Sequence, residues 1–175
     1  MGMVALFALF PEIAKRETRE VTILPPGYPA DSPRIPPGRY GFVESYCVDP
    51  ACDCRRVMVN VLSAEQRSHL ATINHAFEPP PPGDVMEAEG QTFLDPLNTQ
   101  SQWSEEFLDM FLKLVLPSPG YAARLVRHYM LVKEALEDPD HPIHQRIPPD
   151  VPARLPAPRR RGLPPPRRGF RKKWR

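Results

Sequence analysis

All three cysteines of this 175-residue chain fall within the stretch CVDPACDC, residues 47–54. Thiolates are preferred ligands of zinc, which structural sites hold in tetrahedral geometry with Zn–S distances of about 2.3 Å. The Asp49-Pro50 step bends the backbone, so that Cys52 returns toward Cys47 and Cys54 follows two residues later. The spacing therefore predicts that Cys47, Cys52 and Cys54 bind one metal ion together, and zinc is the ion that we expect.

A fourth ligand has to come from elsewhere in the chain, and His128 is our first choice. At 100° per residue it falls in the middle of the apolar stripe of the last predicted helix, which has to pack on the sheet that carries the cysteines. His69 and His75, on a predicted strand, are the next candidates. Asp49 and Asp53 suit the site less well, because carboxylate oxygens are hard ligands beside soft sulfur.

Two arginines, Arg55 and Arg56, directly follow the last cysteine. Three thiolates, a neutral imidazole and Zn²⁺ together carry a charge of −1, and we expect these guanidinium groups to offset it from just outside the ligands. The same arginines leave a redox interpretation open, in which they lower the pKa of a thiol. A disulfide, which would be strained between Cys52 and Cys54, and three inert buried cysteines are two further interpretations of the stretch.

The formal net charge of +2 conceals an acidic body and a basic C-terminus. Residues 151–175 carry ten Lys and Arg with no Asp or Glu, whereas residues 1–150 carry 13 against 21. We predict a basic tail for an anionic partner, RNA first, because arginines contact phosphates while Phe170 and Trp174 can stack on unpaired bases. A tail that only screens the acidic body is the alternative. The predicted anion-binding residues are Arg159, Arg160, Arg161, Arg167, Arg168, Arg171, Lys172, Lys173 and Arg175.

Three predicted strands and two predicted helices have to position the cysteines. The strands span Arg39–Cys47, Arg55–Ser63 and Ser68–Phe77, and the short turns between them favour an antiparallel meander. The helices occupy residues 101–137 and are separated at Pro117. We therefore predict an α+β fold, with a small antiparallel β-meander packed against two C-terminal helices. Residues 1–138 would form a zinc-binding-type domain, and residues 139–175 a disordered, proline-rich basic tail.

Signals for catalysis and for membrane insertion are missing from the sequence. It contains no glycine-rich phosphate-binding loop, no H-E-x-x-H motif and no nucleophile elbow. No apolar run approaches the length of a membrane span, and the first residues lack the features of a signal peptide. We predict a cytoplasmic, non-enzymatic metal-binding protein. The competing classes are a metal- or thiol-dependent enzyme that uses Cys47, Cys52 and Cys54, and a protein-interaction adaptor.

Several short stretches resemble a group of uncharacterised bacterial proteins: GFVESYC at 41–47, CRRVMVNV at 54–61, LATIN at 70–74, LDPLN at 94–98, QS at 100–101 and RHY at 127–129. Some members of that group are similar to proteins that end in a SEC-C zinc tail. This chain has no cysteine near its C-terminus, so the tail is absent here. The resemblance covers residues 10–135 and implies a bacterial, cytoplasmic, metal-binding-type domain with no known reaction.

Overall fold

A six-stranded antiparallel sheet organises the residues that the computed structural model describes, which are 2–25, 35–79 and 90–149. The long strands β3, β4 and β5 form a central meander, and β6 pairs with the outer edge of β5. The predicted α+β fold and the three predicted strands are confirmed, with bounds that differ by one residue. The strands are β1 Met3–Ala5, β2 Arg19–Ile23, β3 Gly38–Cys47, β4 Arg56–Ser63, β5 Ser68–Ala76 and β6 Thr92–Leu94.

Two short strands share the other edge of β3. β1 pairs with Ser45–Cys47, and β2 pairs with Gly38–Phe42, so Val43 and Glu44 lie between the two paired stretches. The chain between β1 and β2 forms two short helices, α1 Leu6–Leu9 and α2 Pro11–Glu17. The second of these has proline at its first position, where the missing N–H has no helical partner to lose.

The helices pack on the face of the sheet that carries the alternate valines of β4. Val57, Val59 and Val61 are inaccessible to solvent, whereas the residues between them are half-buried. A valine at every second position predicts this pattern, because successive strand side chains point to opposite faces. The C-terminal helices are α3 Ser104–Met110, a π-helical continuation Phe111–Val115, and α4 Tyr121–Glu137.

The packed part of the chain extends beyond residue 138, where we expected the disordered tail to begin. Pro142–Gln145 form a 3₁₀ helix, and the side chain of Ile143 is inaccessible to solvent. Arg146 Nη1 donates to the carbonyl oxygen of Leu9 at 2.7 Å, which ties this segment to α1. Residues 139–149 therefore belong with the domain. The predicted tail residues 150–175, including its nine anion-binding candidates, lie outside the described residues.

No helix among residues 2–25, 35–79 and 90–149 combines the length and the apolar character that crossing a membrane requires.

Candidate metal centre

The three cysteines lie together at the end of the sheet, as the sequence predicts. Their Sγ atoms are all within 4.8 Å of one another. In a tetrahedral zinc site with Zn–S bonds of about 2.3 Å, the sulfur atoms stand roughly 3.8 Å apart, which is compatible with this upper limit. Cys47, Cys52 and Cys54 could therefore hold a metal ion.

The turn that carries the cysteines is built from local backbone contacts. Cys47 is the last residue of β3 and pairs with Met3 of β1. The side chain of Asp49 accepts from the Ala51 N–H at 2.9 Å, and its carbonyl accepts from the Cys52 N–H at 3.2 Å. Arg55 has a φ of 45°, a left-handed conformation that turns the chain from the last cysteine into β4.

Lys133 of α4 reaches the cysteine turn from the helical layer. Its Nζ donates to the carbonyl oxygens of Asp49 and Cys52, both at 2.9 Å. The ammonium group also lies 5.7 Å from the ring centroid of Tyr129, one helical turn earlier. A cation held in this way both anchors the turn and places a positive charge beside the sulfur atoms.

The three thiols have unequal proton affinities because they share one small volume. A hydrogen bond from the Cys54 thiol holds the pKa of Cys47 at about 5, and the Asp49 N–H and the Lys133 charge act in the same direction against the effect of burial. Burial and the Cys47 charge raise the pKa of Cys52, and the hydrogen bond to Cys47 raises that of Cys54. One thiolate forms readily, and a bound cation would favour the other two.

His128, which we predict as the fourth ligand, does not join the cysteines in this structure. Its side chain is 1% exposed, with Nδ1 at 2.6 Å from Glu44 Oε2 and Nε2 at 3.2 Å from Glu17 Oε2. Both ring nitrogens therefore face carboxylates and not the sulfur atoms. Helix α4 brings Tyr129 and Lys133 to the cysteine turn. Because neighbouring helical residues point about 100° apart, His128 points in a different direction from Tyr129.

The two histidines that were the next candidates also lie apart from the sulfur atoms. His75 Nδ1 is 2.7 Å from Thr92 Oγ1, and burial, assisted by the charge of Arg56, lowers the His75 pKa to about 4. His69 Nε2 is 2.8 Å from Thr72 Oγ1. Across the described ranges, no His, Asp or Glu joins the three cysteines in a group that could hold a metal ion.

The two arginines after the turn make contacts along the neighbouring strands. Arg55 Nη1 pairs with Glu78 Oε2 at 3.0 Å. Arg56 Nε donates to Asn74 Oδ1 at 2.7 Å, and its guanidinium lies 5.2 Å from the Phe93 ring centroid. Lys133 also contacts the cysteine turn directly. Sequence reasoning missed it because a lysine on a helix is most often a solvated residue.

A second polar group, which we call the Glu44 cluster, was also missed. It comprises Glu44, His128, Glu17, Tyr46, Tyr121 and Arg124. Glu44 is 3% exposed, and its Oε2 accepts from the Tyr46 hydroxyl at 2.7 Å as well as facing His128. Burial, followed by the Glu44 charge, raises the pKa of both Tyr46 and Tyr121.

Arg124 completes the cluster from α4. Its Nε is 3.8 Å from Glu44 Oε1, and its guanidinium lies 4.7 Å from the Tyr121 ring centroid. The signal for this cluster was present in the alternation of β3, where Glu44 occupies an inward position between Phe42 and Tyr46. Its partners on α4, however, lie about eighty residues away along the chain.

Comparison of the chain with protein-family models, with curated proteins and with solved structures found no match. The fold and the site by themselves define a class: an α+β protein with a three-cysteine turn that could hold a metal ion. The resemblance to bacterial proteins with a similar cysteine turn stays a prediction.

Proposed function

We propose that this chain is a zinc-binding protein in which Cys47, Cys52 and Cys54 hold the ion and brace the β3–β4 connection. The observation that carries the proposal is the convergence of three sulfur atoms within 4.8 Å, in a turn fixed by strand pairing on one side and by Lys133 on the other. A preorganised set of thiolates suits zinc, which prefers sulfur and nitrogen ligands in tetrahedral geometry.

The charge around the turn supports a divalent ion. Three thiolates and Zn²⁺ sum to −1, and the Lys133 ammonium brings the local total to zero. A monovalent ion in the same place would leave −1 in a region where Cys47 is inaccessible to solvent. Because uncompensated charge is costly away from water, the three thiolates favour a divalent ion, and Lys133 offsets the single negative charge that remains.

Measurement of metal content on untagged, full-length protein tests the proposal. We expect one zinc per chain in the wild type and less than a tenth of that in the Cys47→Ser variant. The matched control is His128→Gln, which should keep its zinc because His128 faces Glu44 and Glu17. Zinc-free wild-type protein, purified under reducing conditions and reconstituted with zinc, would overturn the proposal if it failed to retain the ion.

We also propose a non-enzymatic role in which the basic residues 151–175 bind an anionic partner, with RNA as the first candidate. Ten Lys and Arg without any acidic residue support this proposal. If about five of these charges neutralise phosphates, a fourfold rise in salt should weaken binding to single-stranded RNA about 100-fold. Titration of labelled RNA at several salt concentrations tests this, with a chain ending at residue 149 as the control.

A metal- or thiol-dependent enzyme is the second candidate function. One observation favours it: the described residues offer three ligands where a closed structural site has four. Catalytic zinc sites characteristically have three protein ligands and one exchangeable position.

A further inference from the structure

We propose that the metal ion of the cysteine turn has an exchangeable fourth position, and that its ligand is a thiol from outside the chain. This inference rests on the proposed function, because it requires an ion bound to Cys47, Cys52 and Cys54. It adds to that function the chemical class of a ligand, which the protein binds through the metal.

The first support is the number of ligands that the fold provides. The cysteines form a group of three in the described residues, and the histidines predicted as a fourth ligand make other contacts. His128 lies between two carboxylates. His75 is hydrogen-bonded to Thr92, and its ring packs on Phe111 in the core. Within the part of the chain that the structure describes, nothing else completes a tetrahedron around such an ion, which leaves the fourth position open to a donor from another molecule.

The second support is access to the ion. Cys47 is fully buried, whereas Cys52 and Cys54 are half-buried. The helix α4 covers the inner side of the turn with Tyr129, which is 7% exposed, and with Lys133, whose Nζ binds two carbonyl oxygens of the turn. An outside ligand can approach along the edge of the sulfur triangle formed by Cys52 and Cys54.

The third support is the balance of charge and softness. With Lys133 beside it, a zinc ion bound to three thiolates forms a neutral group, and a fourth thiolate brings the total to −1. A zinc site of four thiolates without such a lysine carries −2. Lys133 thus lowers the electrostatic cost of an anionic fourth ligand. Sulfur is the donor that best matches three thiolates on one ion, so a thiol is favoured over an oxygen ligand.

Two sources can supply a thiol, and both give the same coordination. One is a small-molecule thiol, and the other is a cysteine side chain of another polypeptide. Glutathione and a short cysteine-containing peptide are suitable probes of these two sources, and the same peptide with serine in place of cysteine is the matched control.

Cobalt(II) in place of zinc makes the coordination visible. We expect the full-length, untagged protein to bind one Co²⁺ and to show a thiolate-to-cobalt charge-transfer band in the near ultraviolet. A thiol probe should raise this band by about a third, because the sulfur ligands increase from three to four, while the serine peptide should leave it unchanged. A response to the peptide alone would identify a polypeptide cysteine as the ligand, and a response to both probes would identify any accessible thiol.

Two results would count against the inference, and they can be told apart. If cobalt binds with a tetrahedral spectrum that neither thiol alters, or if thiols only strip the ion, the fourth position is not an exchangeable thiol site, although the proposed metal binding stands. If the protein binds no cobalt, the proposed function itself fails.

Variants of Lys133 test the charge argument separately. Lys133→Gln should need roughly five- to tenfold more glutathione for half-saturation, because one nearby positive charge is lost, whereas Lys133→Arg should stay within about twofold of the wild type. Equal glutathione affinity in Lys133→Gln and in wild-type protein, both loaded with cobalt, would show that the lysine only anchors the turn.

Discussion

Helix α4 borders two polar regions that differ in which groups its side chains meet. At the cysteine turn, Lys133 binds backbone carbonyls, and three sulfur atoms converge without a fourth protein ligand in the described residues. In the Glu44 cluster, His128 directs both ring nitrogens at carboxylates. A buried histidine is therefore not by itself a metal ligand. What matters is which groups its two ring nitrogens already face.

The two regions also differ in how they depend on the rest of the molecule. The cysteine turn needs an ion to favour three thiolates in one place, since only the first forms readily. The Glu44 cluster is held together by groups that already carry charge or donate hydrogen bonds. We therefore expect the turn to respond to metal and the cluster to respond to mutation of a single buried carboxylate.

The largest effect should come from removing the centre of the Glu44 cluster. Glu44→Ala leaves Tyr46, Arg124 and His128 without their shared acceptor, and we expect it to lower the free energy of unfolding by about 3–5 kcal/mol. The matched control is Glu17→Gln, because the Glu17 side chain is 28% exposed and should cost less than about 1.5 kcal/mol. Urea unfolding of zinc-saturated protein measures both values, and equal losses would contradict the distinction between a buried and a partly exposed carboxylate.

Withdrawal of the metal tests how far zinc stabilises the cysteine turn. At free zinc 100-fold above its dissociation constant, binding to the folded state should add about 2.7 kcal/mol to the free energy of unfolding, and a chelator should remove it. The Cys47→Ser/Cys52→Ser/Cys54→Ser variant should show no difference between zinc and chelator. A chelator response of the same size in that variant would place the ion elsewhere.

The free energy of unfolding of the metal-free protein should depend on pH through His75, a buried histidine outside both polar regions. The pKa of His75 is about 4 in the folded state and about 6.5 when unfolded, so the unfolded state binds the proton first. The stabilising contribution of neutral His75 is complete above pH 6.5 and is lost as the pH falls toward 4, by roughly 3 kcal/mol. Urea unfolding from pH 7 to pH 4 measures this loss.

The His75→Gln variant is the control for that measurement. It keeps a side chain that can bond to Thr92 but has no proton to bind in this range, so its stability should fall less between pH 6.5 and pH 4. If wild type and variant lose stability in parallel, another group is responsible for the acid sensitivity.

Much of the fold was predictable because its signals are local. The valines of β4 alternate, and Pro117 marks the end of the first C-terminal helix region, so both elements follow from periodicity and backbone chemistry. The boundary at residue 138 could not be predicted in the same way. Ile143 is buried because its segment packs on α4 and is tied to α1 through Arg146, whereas its own neighbours, Pro142 and His144, are typical of a loop.

In the candidate site, too, the local features were predictable from the sequence and the long-range contacts were not. C-x4-C-x-C, together with the Asp49-Pro50 bend, was sufficient to predict that three cysteines meet, because eight residues span a single turn between two paired strands. The partner of His128 was not predictable, because Glu44 is charged and nothing in the sequence required it to be buried. Only its contacts with Tyr46, Arg124 and His128 explain its position.

Local sequence was enough to specify the cysteine turn, the antiparallel meander and the helices that follow it, since each depends on side chains close together in the chain. Long-range packing, in contrast, set which face of α4 meets the turn. Lys133 and Tyr129 reach it, and His128 does not, because α4 packs so that His128 meets Glu44 of β3. A rotation of about 100° between neighbouring helical residues separates Tyr129, which meets the cysteine turn, from His128, which meets Glu44, and only contacts between distant parts of the chain fix that angle.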